Sequence, residues 1–497
     1  MPFSTYMTIE RIIEIIKKNN PGIDVDLIIL AYEFADKAHQ GQKRMSGEEY
    51  IQHPLETAYK LAEMNLDLST ITAGLLHDVP EETSKTLEDV KKEFGKEIAT
   101  LVEGITKLGK IKYRGLERYA ENLRKMFVAI AEDVRVVFIK FADRIHNLKT
   151  LYALPPVKQQ RIARESLEIY APIANRLGMD ELKGEIEDLS FPYVYPEEYK
   201  WVRDVSKKRY EEQKKFAEKV IKIVKKELKE KSDVKLIKIE GRAKRYYSLY
   251  QKLLRKDMDI EKVYDLVALR IIVQGIDDCY QALGHIHQLW APLKGRIKDY
   301  IAQPKPNGYQ SLHTTVFGPE GRIAEFQIRT QKMHEQAEWG IAAHWSYKDK
   351  TYKKEAVQIS KEKLKWIKEL LEEQKKITTT KRYLNALKLD FFKNRIFVFT
   401  PKGDVIDLPE GAIPIDFAYH IHTDVGHKCV GAKINDKMAT LQTPLKSGDM
   451  VEILVDKNRK GPSEGWLSHV QTHLAKNKIK AYFKKEKKLN IFKLFNR

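Results

Sequence analysis

The sequence predicts a multidomain chain of three structural classes in series: all-α, then mixed α+β, then a small β-rich region. Three observations carry this. Apolar residues recur at three-to-four spacing from the start to about residue 190. From about residue 234 the period shortens and β-branched residues collect. After about residue 388 strand-like runs return, now separated by Gly and Pro turns. A length of 497 residues fits roughly two to four domains. Hydrophobic and aromatic contents of 42% and 10% suffice for packed cores.

Residues 1–190 hold the helical periodicity in "IERIIEIIKK", "LIILAYEFADKAHQ", "HPLETAYKLAEM" and "RESLEIYAPIANRL". A connector, 191–233, opens on "FPYVYPEEY", where Pro192 and Pro196 are expected to break the pattern. It continues as the charged helix "EEQKKFAEKVIKIVKKELKEK". In 234–349, "VKLIKIEGR", "LVALRIIVQG" and "RIAEFQIRT" read as strands with helices between them. Residues 350–388 read as a Lys- and Glu-rich helical linker. Residues 389–457 read as β-rich through "RIFVFTPKGDVIDLPEGAIPIDFAYHIH" and "GDMVEILV", and 458–497 as a basic helical tail. No internal repeat or low-complexity segment is visible.

The formal net charge of +19 suggests polyanionic partners such as nucleotides or RNA, although a Lys- and Glu-rich surface alone also gives a basic balance. The charge is uneven: residues 471–497 hold nine Lys or Arg against one Glu. Cys279 and Cys429 lie far apart in no spacing motif, which argues against a disulfide framework and fits a reducing cytoplasm. No apolar run of about 18 residues predicts a membrane span. The N-terminus lacks a basic stretch followed by an apolar block, so no secretory signal is expected.

Two constellations carry chemistry. In "LLHDVPEET", His77 and Asp78 stand together and Glu81 and Glu82 follow within a turn. Carboxylates crowded beside an imidazole call for a cation. With His53 and Asp143 on other segments they make a mixed nitrogen and oxygen donor set, which suits Mn²⁺, Fe²⁺ or Zn²⁺ better than Ca²⁺. A site with few protein ligands leaves room for water and substrate. Any single His near a helix end is more often a packed core or cap residue. "GITKLGKI" fits a phosphate-loop spacing until Ile111 stands where Ser or Thr is needed, and no strand precedes it, so it is read as a loop.

In the mixed region Arg242, Lys244, Lys252 and Arg255 recur near helical spacing as a basic face. They come with two carboxylates on strand-like runs, Asp265 and Glu325. Acids at strand ends facing a basic groove suit Mg²⁺-dependent phosphoryl chemistry. "PKPNGYQSLHT" adds Tyr309, able to stack on a purine, and Asn307 and His313, able to hydrogen-bond it or its phosphates.

The longer texts "AHQGQKRMSGEEYIQHP", "LLHDVPEET", "ADRIHNLKTL", "PKPNGYQSLHTTV" and "EFQIRT" resemble the RelA/SpoT-type bifunctional (p)ppGpp synthetase/hydrolases over roughly residues 20–485. The resemblance implies an HD-type hydrolase domain, a nucleotidyltransferase-like synthetase domain and a β-grasp TGS domain. For the hydrolase it implies His53, His77, Asp78 and Asp143 as ligands of Mn²⁺, and Glu81 and Glu82 as the acid/base pair. It places Arg44, Asn147 and Thr150 in the nucleotide pocket. For the synthetase it implies Asp265 and Glu325 on Mg²⁺, with Glu325 activating the 3′-hydroxyl of GDP or GTP toward ATP. Tyr309 is implied to stack on guanine. Arg242, Lys244, Ser248, Lys252, Lys298, Lys305, Asn307 and His313 are implied to serve phosphates and substrates. "RIKD", Arg296–Asp299, matches the basic version that accompanies both activities in this family. His422 matches a position implied to contact uncharged tRNA on the ribosome. Longer members continue into helical, zinc-binding and ACT-type regions. Two departures stand out: Pro80 before the glutamate pair, and Met45 beside Arg44. They are the support for an alternative in which the first domain is an inactive regulator. A non-enzymatic RNA-binding factor would explain the charge but not the acidic sets.

Overall fold

The helical periodicities become helices packed around shared cores, and the strand-like runs of 234–349 become one mixed sheet. The computed structural model describes residues 6–109, 115–263, 266–305, 307–345, 395–402, 405–446, 448–472 and 474–484. Asp265, the 350–388 linker and the last residues of the tail lie outside them. The chain divides into two units, Met1–Glu372 and Glu373–Arg497, each taken here by itself.

The first unit begins with helices α1 (Ile9–Asn19), α2 (Asp26–Ala38), α3 (Gln52–Glu63), α4 (Leu68–Leu76), the one-turn α5 (Val79–Glu82), α6 (Leu87–Gly109), α7 (Gly115–Glu132) and α8 (Arg135–Lys149). α4 is the hub. The Asp67 carboxylate caps it, accepting from Thr70 N at 2.9 Å, and Thr70 to Leu76 are all buried. α3 and α8 pack against it. α6 includes Gly104 to Gly109, so this part of the segment read as a loop is helical; Lys110 and Ile111 fall outside the described residues. A kink at Gly95, with φ +84°, divides α6.

Helices α9 (Pro156–Glu165), α10 (Ala171–Arg176) and α11 (Asp180–Val194) follow. Pro192 lies inside α11 rather than ending it. It sits in the last turn, where only one intrahelical bond is lost. The break falls at Tyr195, and α12 (Pro196–Glu230) starts with Pro196 in its first turn, where no amide is needed. At 35 residues α12 is about 50 Å long.

The sheet has the order β1-β2-β5-β4-β3, from β1 (Leu236–Ala243), β2 (Val267–Val273), β3 (Lys298–Asp299), β4 (Leu312–Phe317) and β5 (Ile323–Thr330). β2 and β5 run parallel and the other pairs antiparallel. Helices α13 (Tyr246–Leu254), α14 (Ile276–Leu289) and α15 (Gln331–Trp339) lie between and after the strands. Alternation sorts the faces. Leu269, Ile271, Phe326, Ile328, Leu312 and Val316 point one way, into a core with Phe216, Val220 and Val224 of α12 and Ala282 and Ile286 of α14. The registers Glu240↔Arg270, Arg270↔Gln327, His313↔Gln327, Thr315↔Glu325 and Lys298↔His313 put polar and charged residues on the other face. α11 packs against α8 as well as α13 and α15, and so links the two halves of the unit.

The second unit has the hairpin β6 (Arg395–Phe399) and β7 (Val405–Pro409), helices α16 (Pro414–Ile421) and α17 (Thr423–His427), and a sheet of β8 (Cys429–Ile434), β9 (Lys437–Ala439) and β10 (Val451–Val455) in the order β10-β8-β9. "PIDFAYHI" is helical, not the strand its apolar run suggested. Pro414 is preset for a first helical turn, and the Asp416 side chain accepts from Ile413 N at 3.0 Å. The buried Asp416 carboxylate also accepts from Gln471 N and from Thr472 N and Oγ1 at 2.8–3.0 Å.

Candidate functional site

His53 stands in the first turn of α3, His77 caps the end of α4, Asp78 opens α5 and Asp143 lies on α8. Folding brings them together. One ligand atom each from the buried His53, His77 and Asp143 lies within 4.8 Å of the other two. Asp78 reaches both imidazoles: Oδ2 is 3.4 Å from His53 Nε2 and Oδ1 is 3.2 Å from His77 Nε2. His53 Nε2 is also 3.3 Å from Asp143 Oδ1.

The hydrogen bonds fix what these nitrogens present. His77 Nδ1 lies 2.8 Å from Gly74 O, a carbonyl that only accepts, so Nδ1 donates and Nε2 is the nitrogen turned toward Asp78. That Nε2 is buried with no hydrogen-bond partner. His146 Nδ1 faces Arg44 NH1 at 3.1 Å and His53 Nδ1 at 2.8 Å. Arginine only donates, so His146 Nδ1 accepts and His53 Nδ1 donates. His53 Nε2 is therefore the nitrogen that faces Asp78 and Asp143. Burial holds the His53 pKa below its ordinary value, against the pull of Asp143 and Asp78. Burial pushes the Asp143 carboxyl up, but the Lys140 ammonium 2.7 Å away and His53 outweigh it and hold Asp143 well below the usual range. Two imidazole Nε2 atoms and two carboxylates thus converge on one buried point. A divalent cation is the group that fits them, and this donor set suits a transition metal.

Around this centre, Arg44 NH2 donates to Asn147 Oδ1 at 2.6 Å, and the Asn147 amide donates to Asp143. Thr150 Oγ1 donates to His146 O at 3.2 Å. Glu81 and Glu82 are exposed on α5, at the edge of the cluster. Pro80 lies in the first turn of α5, where the amide it lacks has no intrahelical partner to lose, and Glu81 N and Glu82 N both bond Asp78 O. Met45 is exposed.

On the mixed sheet, Arg242 of β1, Lys298 of β3, His313 of β4 and Glu325 of β5 share the polar face with Arg270 and Arg329. Arg242 is on a strand, Lys244 in the loop after it, Ser248 and Lys252 on α13, and Arg255 at the end of α13, so the basic residues do not form one helical face. Lys244 lines a separate cleft of about 700 Å³ between α12 and β1, with Tyr210, Lys214 and Tyr246. Tyr309 Oη and His313 Nε2 are 2.8 Å apart. Lys305 Nζ lies 4.7 Å and 4.8 Å from the Tyr300 and Tyr309 ring centres. Asn307 Oδ1 accepts from Tyr309 N, and Gly308, at φ +81°, closes the turn onto Lys305 O. Within "RIKD", Lys298 is exposed, while Asp299 accepts from Ile301 N, Ala302 N and Tyr280 Oη. In the second unit the exposed His422 caps α17 through Asp424 N.

Several residues escaped the sequence reading. His146, three residues past Asp143, bridges His53 and Arg44. Glu181 of α11 holds Arg242 at 3.1 Å and also holds Arg245. Glu338 of α15 lies 3.1–3.5 Å from Arg242, Arg270 and Arg329. The single charge of Arg270 among the buried aliphatics of "LRIIV" is a sequence hint of that cluster.

A buried cation-binding set on helices and an arginine-lined sheet face thus occupy one unit, followed by a small β unit. Residues 31–180 match the HD domain family, 241–352 the region found in RelA and SpoT proteins, and 396–455 the TGS domain. A guanosine-3′,5′-bis(diphosphate) 3′-pyrophosphohydrolase of Aquifex aeolicus is 49% identical over 92% of this chain and 64% of its own length. A GTP pyrophosphokinase of Myxococcus xanthus is 45% identical over 95% of this chain and 62% of its own. The bifunctional (p)ppGpp synthase/hydrolase SpoT of Escherichia coli is 43% identical over 96% of this chain and 68% of its own. The chain belongs to the RelA/SpoT family. It spans about six tenths of the length of the first of these relatives. Among the described residues, no helix is long and apolar enough to cross a membrane.

Proposed function

We propose that this chain makes and destroys the alarmone (p)ppGpp in the cytoplasm, in response to nutrient starvation. One half transfers the β,γ-pyrophosphate of ATP to the ribose 3′-hydroxyl of GDP or GTP. The other hydrolyses that 3′-pyrophosphate. The observation that carries the reading is the pair of buried His Nε2 atoms facing Asp78 and Asp143, in the same unit as the Arg242–Glu325 sheet face. The relatives' names include both activities.

In the hydrolase, His53, His77, Asp78 and Asp143 would hold Mn²⁺. When bound, that ion supplies Lewis-acid charge and lowers the pKa of water toward neutrality. Glu81 and Glu82 take and return the proton of the attacking water. Arg44 offers its planar guanidinium to the guanine, and Asn147 and Thr150 line the nucleotide pocket.

In the synthetase, Asp265 and Glu325 would hold Mg²⁺, an oxygen-only set suited to that ion, which supplies charge to the ATP phosphates. Glu325 accepts the proton of the 3′-hydroxyl as its oxygen attacks the β-phosphorus and AMP departs. Tyr309, braced by His313, stacks on guanine. Arg242, Lys244, Ser248, Lys252, Lys298, Lys305 and Asn307 serve the phosphates and substrates. Opposed activities in one unit call for coupling, so nucleotide in one site disfavours the active form of the other. The TGS region would contact uncharged tRNA on the ribosome through His422, supported by its exposure and by the basic tail.

Two parallel incubations test this. ATP labelled in its terminal phosphates plus GDP should yield labelled ppGpp. Unlabelled ppGpp with Mn²⁺ should yield GDP and pyrophosphate. Absence of either product removes that half of the reading.

A further inference from the structure

The α5 turn that carries Asp78, Glu81 and Glu82 is too short to hold its own orientation, since one helical turn is not stable alone. Three residues of the "AHQGQKRMSGEEY" segment, none with an assigned role, brace it from across the chain. Tyr50 Oη donates to Asp78 Oδ2 at 2.9 Å. The buried His39 ring stacks on Tyr50 at 4.5 Å and 13°. Gln42 Oε1 lies 2.8 Å from His39 Nδ1, which must therefore donate, and Gln42 Nε2 donates to Glu82 O at 2.8 Å. That carbonyl is at the open end of α5, where no intrahelical donor reaches it. The backbone ties the same frame: Tyr50 N bonds Gln42 O at 3.0 Å.

We propose that Tyr50 and Gln42 are positioning residues of the hydrolase site with divided tasks. Tyr50 fixes the rotation of the Asp78 carboxylate and so sets cation affinity. Gln42, steadied by His39, holds the Glu81–Glu82 turn and so sets the rate of proton transfer. This rests on the hydrolase reading above. Partners of this kind around a metal ligand change affinity or activity by about 10- to 100-fold when removed.

The test uses the full chain. Mn²⁺ is titrated calorimetrically, ppGpp hydrolysis is resolved into kcat and KM, and ATP-to-GDP transfer reports integrity of the fold. Tyr50→Phe keeps the stacked ring and loses only the hydroxyl. It should weaken Mn²⁺ binding about tenfold with transfer unchanged. Gln42→Leu should leave Mn²⁺ affinity and KM within about twofold while kcat for hydrolysis falls about tenfold. Gln42→Met, which keeps the length of the side chain, should behave the same way. Wild-type Mn²⁺ affinity in Tyr50→Phe, or wild-type kcat in Gln42→Met, overturns the inference while leaving the hydrolase reading intact. A wild-type chain that neither binds Mn²⁺ nor cleaves ppGpp overturns both.

Discussion

Glu181→Gln tests how the two halves of the first unit are coupled. Glu181 sits on α11, which packs on α8 of the cation cluster and on α13 and α15 beside the mixed sheet. Its carboxylate holds Arg242 at 3.1 Å and also Arg245. A phosphate of ATP that needs Arg242 must first displace that carboxylate. Both partners are partly exposed, with Arg242 at 35% and Glu181 at 27%, so solvent screens the pair. An exposed pair is worth about 0.2–1 kcal/mol. Partial burial and the second arginine put the loss near about 1 kcal/mol, or roughly fivefold in binding. Glu181→Gln should therefore lower KM for ATP about fivefold in the transfer assay, with kcat little changed. It should also weaken the effect of a non-hydrolysable ATP analogue on ppGpp hydrolysis. An unchanged or raised KM for ATP would show that Glu181 supports the arginines instead of competing for them, and would refute the reasoning.

Three further outcomes follow from burial and backbone geometry. Burial, with Asp188 and Asp180 nearby and Lys183 opposing, pushes the Glu187 carboxyl from 4.5 up to about 7. Its native pKa is raised, so the folded state binds the extra proton and stability falls as pH rises from about 4.5 to 7, losing up to about 3 kcal/mol. Glu187→Gln should raise the calorimetric Tm of the first unit at pH 8 and leave it unaltered at pH 4.5; equal effects at both would contradict this. Gly340 has φ +56°, and a Cβ there would meet Leu177 O at 2.2 Å, so Gly340→Ala should cost more than about 2 kcal/mol. Gly22, at φ +86° with nothing within 4 Å, is the control and should cost only about 1 kcal/mol as Ala, both read from Tm. Asp416→Ala leaves the amides of Ile413, Gln471 and Thr472 unpaired, so hydrogen exchange across 466–484 should rise by the equivalent of about 3 kcal/mol, and unaltered protection would contradict the anchor.

What the sequence displayed and what it hid have physical reasons. Strands β1, β2 and β5 were legible through their β-branched content, and in β5 the core residues Phe326 and Ile328 alternate with Glu325 and Gln327. The donors His53, His77 and Asp143 were legible as residue types in long motifs, but their convergence within 4.8 Å is set by α3, α4 and α8 packing. The Glu181–Arg242 contact joins residues 61 apart and leaves no periodic trace. "PIDFAYHI" misled because a short apolar run fits strand and helix equally, and the deciding features were Pro414 and Asp416. Pro192 misled because a proline near a helix end can ride inside the last turn.

The claim beneath all of this is that one chain carries two separable active sites. Assaying ppGpp hydrolysis with Mn²⁺ and ATP-to-GDP transfer side by side, in Asp78→Ala and Glu325→Gln, tests it most directly. The account predicts that Asp78→Ala abolishes hydrolysis and retains transfer, while Glu325→Gln does the reverse. Loss of both activities in each variant, or a wild-type chain capable of only one, would contradict it.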